Sequence, residues 1–348
     1  MANKNHTIDI NEKEIGREIS KFFRGGKFTS SYKPIVFQSI LINIKREKAI
    51  NVDNIFFISI DDIVKYFLKF NYILLKRFKL KQLNMFHHQV KVYSIIEDYY
   101  PKTKKKKLKD EDISEEIIDK IKKLFFRHVI FLLRKDMYIY EFYDKNREKI
   151  DLKVDIKNEQ EFKSLVEPSS IKYIGFSAKT FTYINRHFPI LEKANLGVCT
   201  EFLEGFNTVP KLFTKLLVAA ESFHRKRNIP TKYKKLLYKY QDYRCFYCGE
   251  SLKKNPHADH FIPYDYLFDS PIWNIVGACS DCNLQKSNFL VNSEYLERLK
   301  KRNRDSDFRK IFGDLIQKHK DGNIDLINRE LEQHYYNCSM YFEFIPDF

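Results

Sequence analysis

The sequence predicts an α+β protein that is mainly helical, and three observations lead to this class. Apolar residues recur at helical spacing through most of the 348-residue chain. Short segments of β-favouring residues interrupt that pattern in a few places, which indicates a small sheet. Hydrophobic residues make up 43% of the chain, which suits a packed core and argues against wholesale disorder. A chain of this length accommodates two domains of ordinary size.

The elements before residue 230 are expected to be helices around that small sheet. A helix is predicted to begin at 31–34, because proline is favoured in a first helical turn. Asp61 and Asp62 are placed to cap a second helix. Further helical segments are expected over 113–134 and 178–241, and short strands over 138–140 and 150–154 with a hairpin turn at 145–146.

A domain boundary is predicted near Pro230, just after the basic stretch 225–227. Residues 1–230 are expected to form a recognition or regulatory region, and residues 231–348 a second domain. The second domain should close with three helices, over 293–303, 307–319 and 323–337. The chain contains no internal repeat that would indicate a solenoid.

The charge of the chain points to a polyanionic partner. The formal net charge is +16 at pH 7, from 62 basic and 46 acidic side chains. A fold does not need this excess, which favours nucleic acid or an anionic membrane surface. No apolar run approaches the roughly 20 residues that span a bilayer, and the N-terminus lacks an apolar signal core. A cytoplasmic protein without a membrane partner is therefore expected.

The positive charge is concentrated ahead of the first cysteine pair. Residues 211–244 hold ten basic and two acidic side chains, so their charge of +8 is half of the total, and tyrosines are interleaved with them. This pattern favours a phosphate-binding surface over a solvated helix face. The residues expected to contribute are Arg225, Arg227, Lys234 and Lys235. Basic residues over 298–304 are expected to extend this surface, whereas the lysine-rich run 102–109 is interpreted as a solvated loop.

Four of the six cysteines form two C-x-x-C pairs. The pairs are Cys245 with Cys248 and Cys279 with Cys282. In a chain without an export signal, this spacing indicates metal binding rather than disulfides. Four thiolates make a closed tetrahedral zinc site, so we expect a structural zinc that staples a segment too short to bury much core. The alternative is four unligated cysteines; Cys199 and Cys338 are expected to be buried small side chains.

The segment between the two pairs contains residues suited to hydrolysis. Asp259 offers a hard carboxylate ligand for Mg²⁺. His260 can take a proton from water near neutral pH. Neighbours in a regular strand point to opposite faces, so the two share a site only where the chain leaves the strand, and Pro263 suits such a departure. His257 is expected at the surface and Trp273 in the core.

Together, these residues resemble the ββα-metal domain of HNH endonucleases over roughly residues 235–305. Asp259 and His260 match the first position of the family's motif, Asn274 matches the second, and Asn283 matches the third. The third position usually is a histidine, so the sequence resembles the His-Asn-Asn variant that the HNH domain of RNA-guided CRISPR nucleases also uses. The family's terminal Asn-x-x-Lys motif matches Asn283 to Lys286.

The resemblance implies a role for each of these side chains. His260 would be the general base, and Asp259 and Asn283 would hold one Mg²⁺ or Mn²⁺ at the scissile phosphate. Asn274 would fix the loop that presents His260. Lys286 is a candidate phosphate clamp, with a solvated lysine as the alternative.

The implied activity is hydrolysis of phosphodiester bonds, with DNA favoured over RNA, in restriction or anti-phage defence. A homodimer or a defence-system partner protein is compatible with it. Two other functions stay open, a ribonuclease and a non-catalytic zinc-ribbon protein that binds nucleic acid. The zinc-ribbon protein would keep the thiolates and the basic surface, but it has no need of an acid–histidine pair with both asparagines in family order.

Overall fold

The computed structural model describes residues 10–25, 31–82, 90–101, 103, 105–128, 133–134, 136–150, 170–223, 229–252 and 255–345. They divide into two compact units, the first drawn from Met1–Asn207 and Phe213–Phe223, the second from Thr208–Leu212 and His224–Phe348. This described part is mainly helical with two small antiparallel sheets, which confirms the predicted α+β class. None of its helices is both long and apolar enough to cross a membrane.

The first unit combines helices with a four-stranded sheet. Its helices are α1 (Glu12–Gly25), α2 (Tyr32–Lys45), α3 (Ile60–Tyr72), α4 (Lys91–Tyr99), α5 (Glu115–His128), α6 (Ala178–Glu204) and, from Phe213 on, α7 (Leu212–Ala219). Its strands are β1 (Ile50–Val52), β2 (Ile55–Ser59), β3 (Glu141–Tyr143) and β4 (Tyr173–Ser177). A π-helical turn, Ile73–Arg77, follows α3.

The core of the first unit forms around α2, which begins where the sequence predicted a helix start. All its residues from Pro34 to Ile44 are buried, because α2 packs against α3 and the long helix α6. The polar side chains that this burial encloses are paired across the helices. Gln38 donates to Glu192 at 2.9 Å, and Asn195 donates to the carbonyl of Pro34 at 2.8 Å.

The sheet has the order β1-β2-β4-β3, with all neighbours antiparallel. Sequence reasoning missed β1, β2 and β4. The strand predicted over 138–140 lies slightly later, as β3, but the hairpin turn at 145–146 is confirmed by the bridge between Tyr143 and Lys149. Beyond Ile150, the strand predicted over 150–154 lies outside the described residues.

Helix α3 forms as predicted but is capped by a different residue. The hydroxyl of Ser59 accepts a hydrogen bond from the backbone N–H of Asp61 at 3.1 Å. Asp61 and Asp62 lie in the first turn, where their negative charges interact favourably with the helix dipole. Neither residue caps the helix. The capping role predicted for the two aspartates is therefore wrong.

The second unit contains a two-stranded sheet and several helices. Its strands are β5 (His257–His260) and β6 (Ile275–Ala278). Its helices are α8 (Thr231–Tyr240), α9 (Tyr264–Leu267), α10 (Ser280–Lys286), α11 (Ser293–Arg304), α12 (Ser306–Ile316) and α13 (Ile324–Ser339). The last three confirm the helices predicted after residue 290, and side chains of Asn292, Asp305 and Asn323 cap them.

Candidate zinc and catalytic site

The two C-x-x-C pairs converge on one point of the second unit. The Sγ atoms of Cys245, Cys248, Cys279 and Cys282 all lie within 4.8 Å of one another. The Sγ atoms of Cys248 and Cys279 are 3.8 Å apart, close to the roughly 3.8 Å between two thiolates that each lie about 2.3 Å from a tetrahedral zinc. All four are free thiols. The cluster can therefore hold a metal such as zinc, as the spacing predicted.

Backbone geometry explains why the thiols meet. Gly249 adopts a φ of 77°, which glycine tolerates without strain, and its N–H donates to the carbonyl of Cys245 at 3.0 Å. Cys279 is the N-cap of α10, and its Sγ accepts from the backbone N–H of Cys282 at 3.4 Å. Burial raises the pKa of the Cys245 thiol, but backbone N–H groups, first that of Cys279, outweigh burial and lower the pKa below its ordinary value. The lower pKa favours the thiolate at Cys245, whereas burial raises the pKa of the Cys248 and Cys282 thiols.

We call each C-x-x-C pair with its turn a knuckle. From the first knuckle to the end of α10, the chain forms β5, the short helix α9, β6 and then α10, which carries Cys282 of the second knuckle. β5 pairs antiparallel with β6, with Asp259 opposite Val276 and His260 opposite Ile275. Helix α10 then packs against β5. Asp259 and His260 end the first strand, Asn274 precedes the second strand, and Asn283 lies within the helix.

Asn274 holds the loop that leaves β5. Its side chain is fully buried; Oδ1 accepts from the N–H of Ile262 at 2.8 Å, and Nδ2 donates to the carbonyl of Ile262 at 3.0 Å. Its own carbonyl accepts from the N–H of Phe261 at 2.9 Å. These three bonds fix the chain directly after His260. Phe261, Ile262 and Trp273 are buried, which confirms the core position predicted for Trp273.

The imidazole of His260 is largely buried. Its Nε2 lies 2.8 Å from the hydroxyl of Ser270, and its ring meets that of Tyr264 edge-on with centroids 5.1 Å apart. Sequence reasoning gave no role to Ser270, because a hydroxyl in a loop carries no spacing signal. His257, two residues earlier in β5, is exposed as expected.

The carboxylate of Asp259 contacts a different set of residues. Its Oδ2 accepts from the phenol of Tyr247 at 2.6 Å and lies 3.1 Å from Nζ of Lys286. Burial, reinforced by this carboxylate, raises the pKa of Tyr247 well above its ordinary value, so the phenol stays a donor. Asp259 and His260 both remain within β5 and meet different neighbours, as adjacent residues of a regular strand do.

Lys286 is buried, whereas both predictions for it placed its amine at the protein surface. Its side chain is 0% exposed, and Nζ donates to the carbonyl of His260 at 2.7 Å as well as pairing with Asp259. The solvated position is therefore wrong, whereas the phosphate contact stays a prediction. Asn283 precedes Lys286 by three residues, so the two lie on one face of α10. Within the described residues, no side-chain hydrogen bond involves Asn283, and the helix cap is Cys279.

The residues around Asp259 offer few ligands for a second metal. The cysteine cluster is the one group of three or more His, Cys, Asp or Glu side chains in the described ranges that can hold an ion. A magnesium site that shares its ion with substrate phosphate needs only one or two carboxylates. The bonds that described residues make to Asp259 fall on Oδ2, which leaves Oδ1 as a ligand atom. Asn283 lies on the face of α10 that carries Lys286, the residue that pairs with Asp259.

The basic surface predicted ahead of the first knuckle lies on α8. Lys232, Lys235 and Lys239 are exposed at spacings that place them on one helix face, while Lys234 is half-buried. None of the four forms an ion pair with a described residue. Tyr238 is buried and Tyr240 packs against Phe308, so these two tyrosines contribute to the core. Arg225 and Arg227 lie outside the described residues.

The extension of that surface expected over 298–304 is largely engaged elsewhere. Lys300 and Arg304 pair with acidic side chains. Arg302 is buried and donates to the carbonyls of Trp273, at 3.0 Å, and Ile275. Because these carbonyls flank Asn274, Arg302 supports the loop beside the candidate site. Its position in a basic run had indicated a surface role instead.

Comparisons with family models, with curated proteins and with solved structures found no match to the chain. A function is therefore inferred from the site itself, from its residue types, the elements that carry them and the contacts that they make.

Proposed function

We propose that the chain is a metal-dependent endonuclease of the HNH type, which hydrolyses phosphodiester bonds to a 5′-phosphate and a 3′-hydroxyl. The observation that carries the proposal is the placement of four side chains on β5, the segment before β6, and α10, three of them between the two C-x-x-C pairs and Asn283 directly after the second pair. Asp259 and His260 end β5, Asn274 locks the following loop, and Asn283 lies on α10. The favoured substrate is DNA, in the setting of restriction or anti-phage defence.

In this proposal, His260 removes a proton from the attacking water, and the bonds of Asn274 keep its strand end in place. Asp259 Oδ1 and the amide oxygen of Asn283 would hold Mg²⁺ or Mn²⁺. When bound, such a cation would stabilise the charge that develops on the phosphate and the leaving oxygen. The four cysteines hold a structural zinc, which keeps these elements together.

A non-catalytic zinc-ribbon protein is the second candidate, and one contact favours it. Asp259 is already paired with Lys286, so its charge is neutralised without any cation. Such a protein would bind nucleic acid through the lysines of α8 and cut none. A ribonuclease differs from the first proposal only in its substrate.

The test is a cutting assay with the purified full-length protein, on duplex DNA, single-stranded DNA and structured RNA, with Mg²⁺ or Mn²⁺. We expect cutting of DNA, and a rate about 10² to 10⁴ lower in His260→Ala with nucleic-acid binding near normal, because a general base acts in the transition state. His257→Ala is the matched control, since His257 is exposed on the same strand.

Each other outcome selects a different function. Binding of all three substrates without cutting would select the zinc-ribbon protein, and cutting of RNA alone would select the ribonuclease. Cutting by His260→Ala at the wild-type rate would remove His260 as the base. An activity that appears only after a second protein is added would identify a defence-system partner, and sedimentation of the same sample tests for a homodimer.

A further inference from the structure

The ammonium group of Lys286 is a buried positive charge in the second unit. Its side chain is fully buried, and the Asp259 carboxylate with which it pairs is 8% exposed. Nζ lies 3.1 Å from Oδ2 of Asp259 and donates to the carbonyl of His260 at 2.7 Å. In the protein without a cation, the carboxylate proposed to hold that cation thus already has a positive partner.

This pairing has an energetic reason. A carboxylate or an ammonium group that is buried alone is strongly unfavourable, so each stabilises the other. A divalent cation on Asp259 would remove the need for the ammonium group. It would also repel that group, because two positive charges on one carboxylate oppose each other, most strongly where water is excluded.

We propose that Lys286 is an internal counter-ion that competes with a divalent cation for Asp259, so that cation binding releases the Lys286 amine from the interior. This inference rests on the proposed function and concerns the regulation of the same site. Until a cation binds, the ammonium group of Lys286 thus neutralises the Asp259 carboxylate and remains beside it.

The position of Lys286 suits such a release. It is the last residue of α10, and the chain turns away at Ser287, whose φ is 45°. Gln285 and Ser287 on either side are exposed. The long flexible side chain can therefore reach solvent from its present backbone position. A purely structural tie between α10 and β5 would instead keep the amine buried whether or not a cation is present.

The first experiment labels lysines of the wild-type protein with an amine-reactive ester and quantifies each site by mass spectrometry. Samples with intact zinc are compared without divalent cation and with Mn²⁺ at concentrations that saturate its binding. We expect Lys286 to be protected without Mn²⁺ and labelled several-fold more with it. Lys215, equally buried in the first unit, should stay protected, and the exposed Lys235 should be labelled throughout.

The second experiment measures Mn²⁺ affinity by electron paramagnetic resonance in the absence of nucleic acid. Lys286→Met should bind Mn²⁺ on the order of tenfold more tightly than wild type, because the competing charge is gone. Asp259→Asn should lose this binding, and Lys301→Met, at an exposed position of α11, should bind as wild type does. If Lys286→Met fails to fold, the labelling of the wild-type protein decides alone.

Two results would overturn the inference. One is a Lys286 that stays protected at saturating Mn²⁺; the other is a folded Lys286→Met that binds Mn²⁺ no more tightly than wild type, including the case in which neither binds. The cutting assay separates this failure from failure of the proposed function. DNA cutting with Lys286 still protected would contradict the counter-ion alone, whereas release of Lys286 without cutting of any substrate would contradict the nuclease alone.

Discussion

At the scale of single residues, Ser270 is the polar neighbour that holds the imidazole of His260. Its hydroxyl lies 2.8 Å from Nε2, while Tyr264 limits the rotation of the ring from its edge. In the proposed reaction, Ser270 would act through His260 and would therefore be a positioning residue. Its contribution should be seen in the rate of the reaction rather than in the affinity for nucleic acid.

We expect Ser270→Ala to lower the cutting rate roughly threefold to tenfold, since one hydrogen bond contributes about 1 kcal/mol. Binding of uncut nucleic acid, followed by fluorescence anisotropy with Ca²⁺ in place of Mg²⁺, should not change. Ser287→Ala, at an exposed position, is the control. A wild-type cutting rate in Ser270→Ala would mean that other contacts fix the imidazole.

Residue type and spacing were sufficient to select the four cysteines, because zinc sites use few kinds of side chain, whereas the role of the polar residues near them stays a prediction. Their partners could not be selected in the same way. Tyr247 looked like a spacer between two cysteines, yet it donates to Asp259. Lys286 looked like a surface lysine, yet it is buried. Such pairings depend on how α10 packs on β5, which local sequence does not determine.

At the scale of elements, the loop between β5 and α9 depends on one buried amide. The side chain of Asn274 makes two hydrogen bonds to the backbone of Ile262, and Arg302 from α11 donates to carbonyls on both sides of Asn274. The loop beside His260 is thus held by bonds from the segment before β6, which in turn is held from α11.

Asn274→Ala should lower the free energy of unfolding of the second unit by about 2–4 kcal/mol, because it leaves a buried N–H and a buried carbonyl unpaired. Urea denaturation followed by fluorescence of Trp273, the one tryptophan of the chain, measures this directly. Asn292→Ala removes only the cap of α11 and should cost about 1 kcal/mol. Equal losses in the two variants would show that the loop does not depend on Asn274.

Helices were more predictable than strands for a physical reason. The last three helices carry side-chain caps and long periodic patterns, both of which are local signals. In contrast, β2 (Ile55–Ser59) is a short apolar run with side chains on both faces of the strand buried or half-buried. Such a run lacks the alternation of apolar and polar residues that distinguishes a strand from a buried helix. Its pairing with β4, far along the chain, is the interaction that makes it a strand.

At the scale of the whole molecule, the chain consists of a first unit with no residue of the cysteine cluster and a second unit that contains the whole cluster. We expect one zinc per chain by elemental analysis. Cys279→Ser should abolish the cooperative unfolding of the second unit and leave that of the first, since structural zinc contributes folding free energy directly. A folded wild-type protein without zinc, or a variant with both transitions intact, would contradict this expectation.

The positive charge of the molecule gives a prediction for binding. The double variant Lys235→Glu with Lys239→Glu should weaken binding to all duplex sequences to a similar degree and reduce the dependence of affinity on salt, because phosphate contacts carry little sequence information. Charge reversal of Lys300 and Arg304, which already pair with acidic residues, provides the comparison. An unchanged salt slope in the first variant would place the nucleic acid on another surface.

The convergence of both knuckles on one metal has a topological consequence. A zinc ion bound by Cys245 and Cys282 would turn the intervening chain into a closed ring on the order of 40 residues long, and the entropy cost of closing that ring, about 4 kcal/mol, would be offset by the metal–thiolate bonds as the unit folds. A single peptide-bond break between Cys248 and Cys279 would open the polypeptide without separating its halves, because each half keeps two thiolates on the same ion. Both cut ends would therefore stay tethered to the same point of the second unit for as long as the metal stays bound.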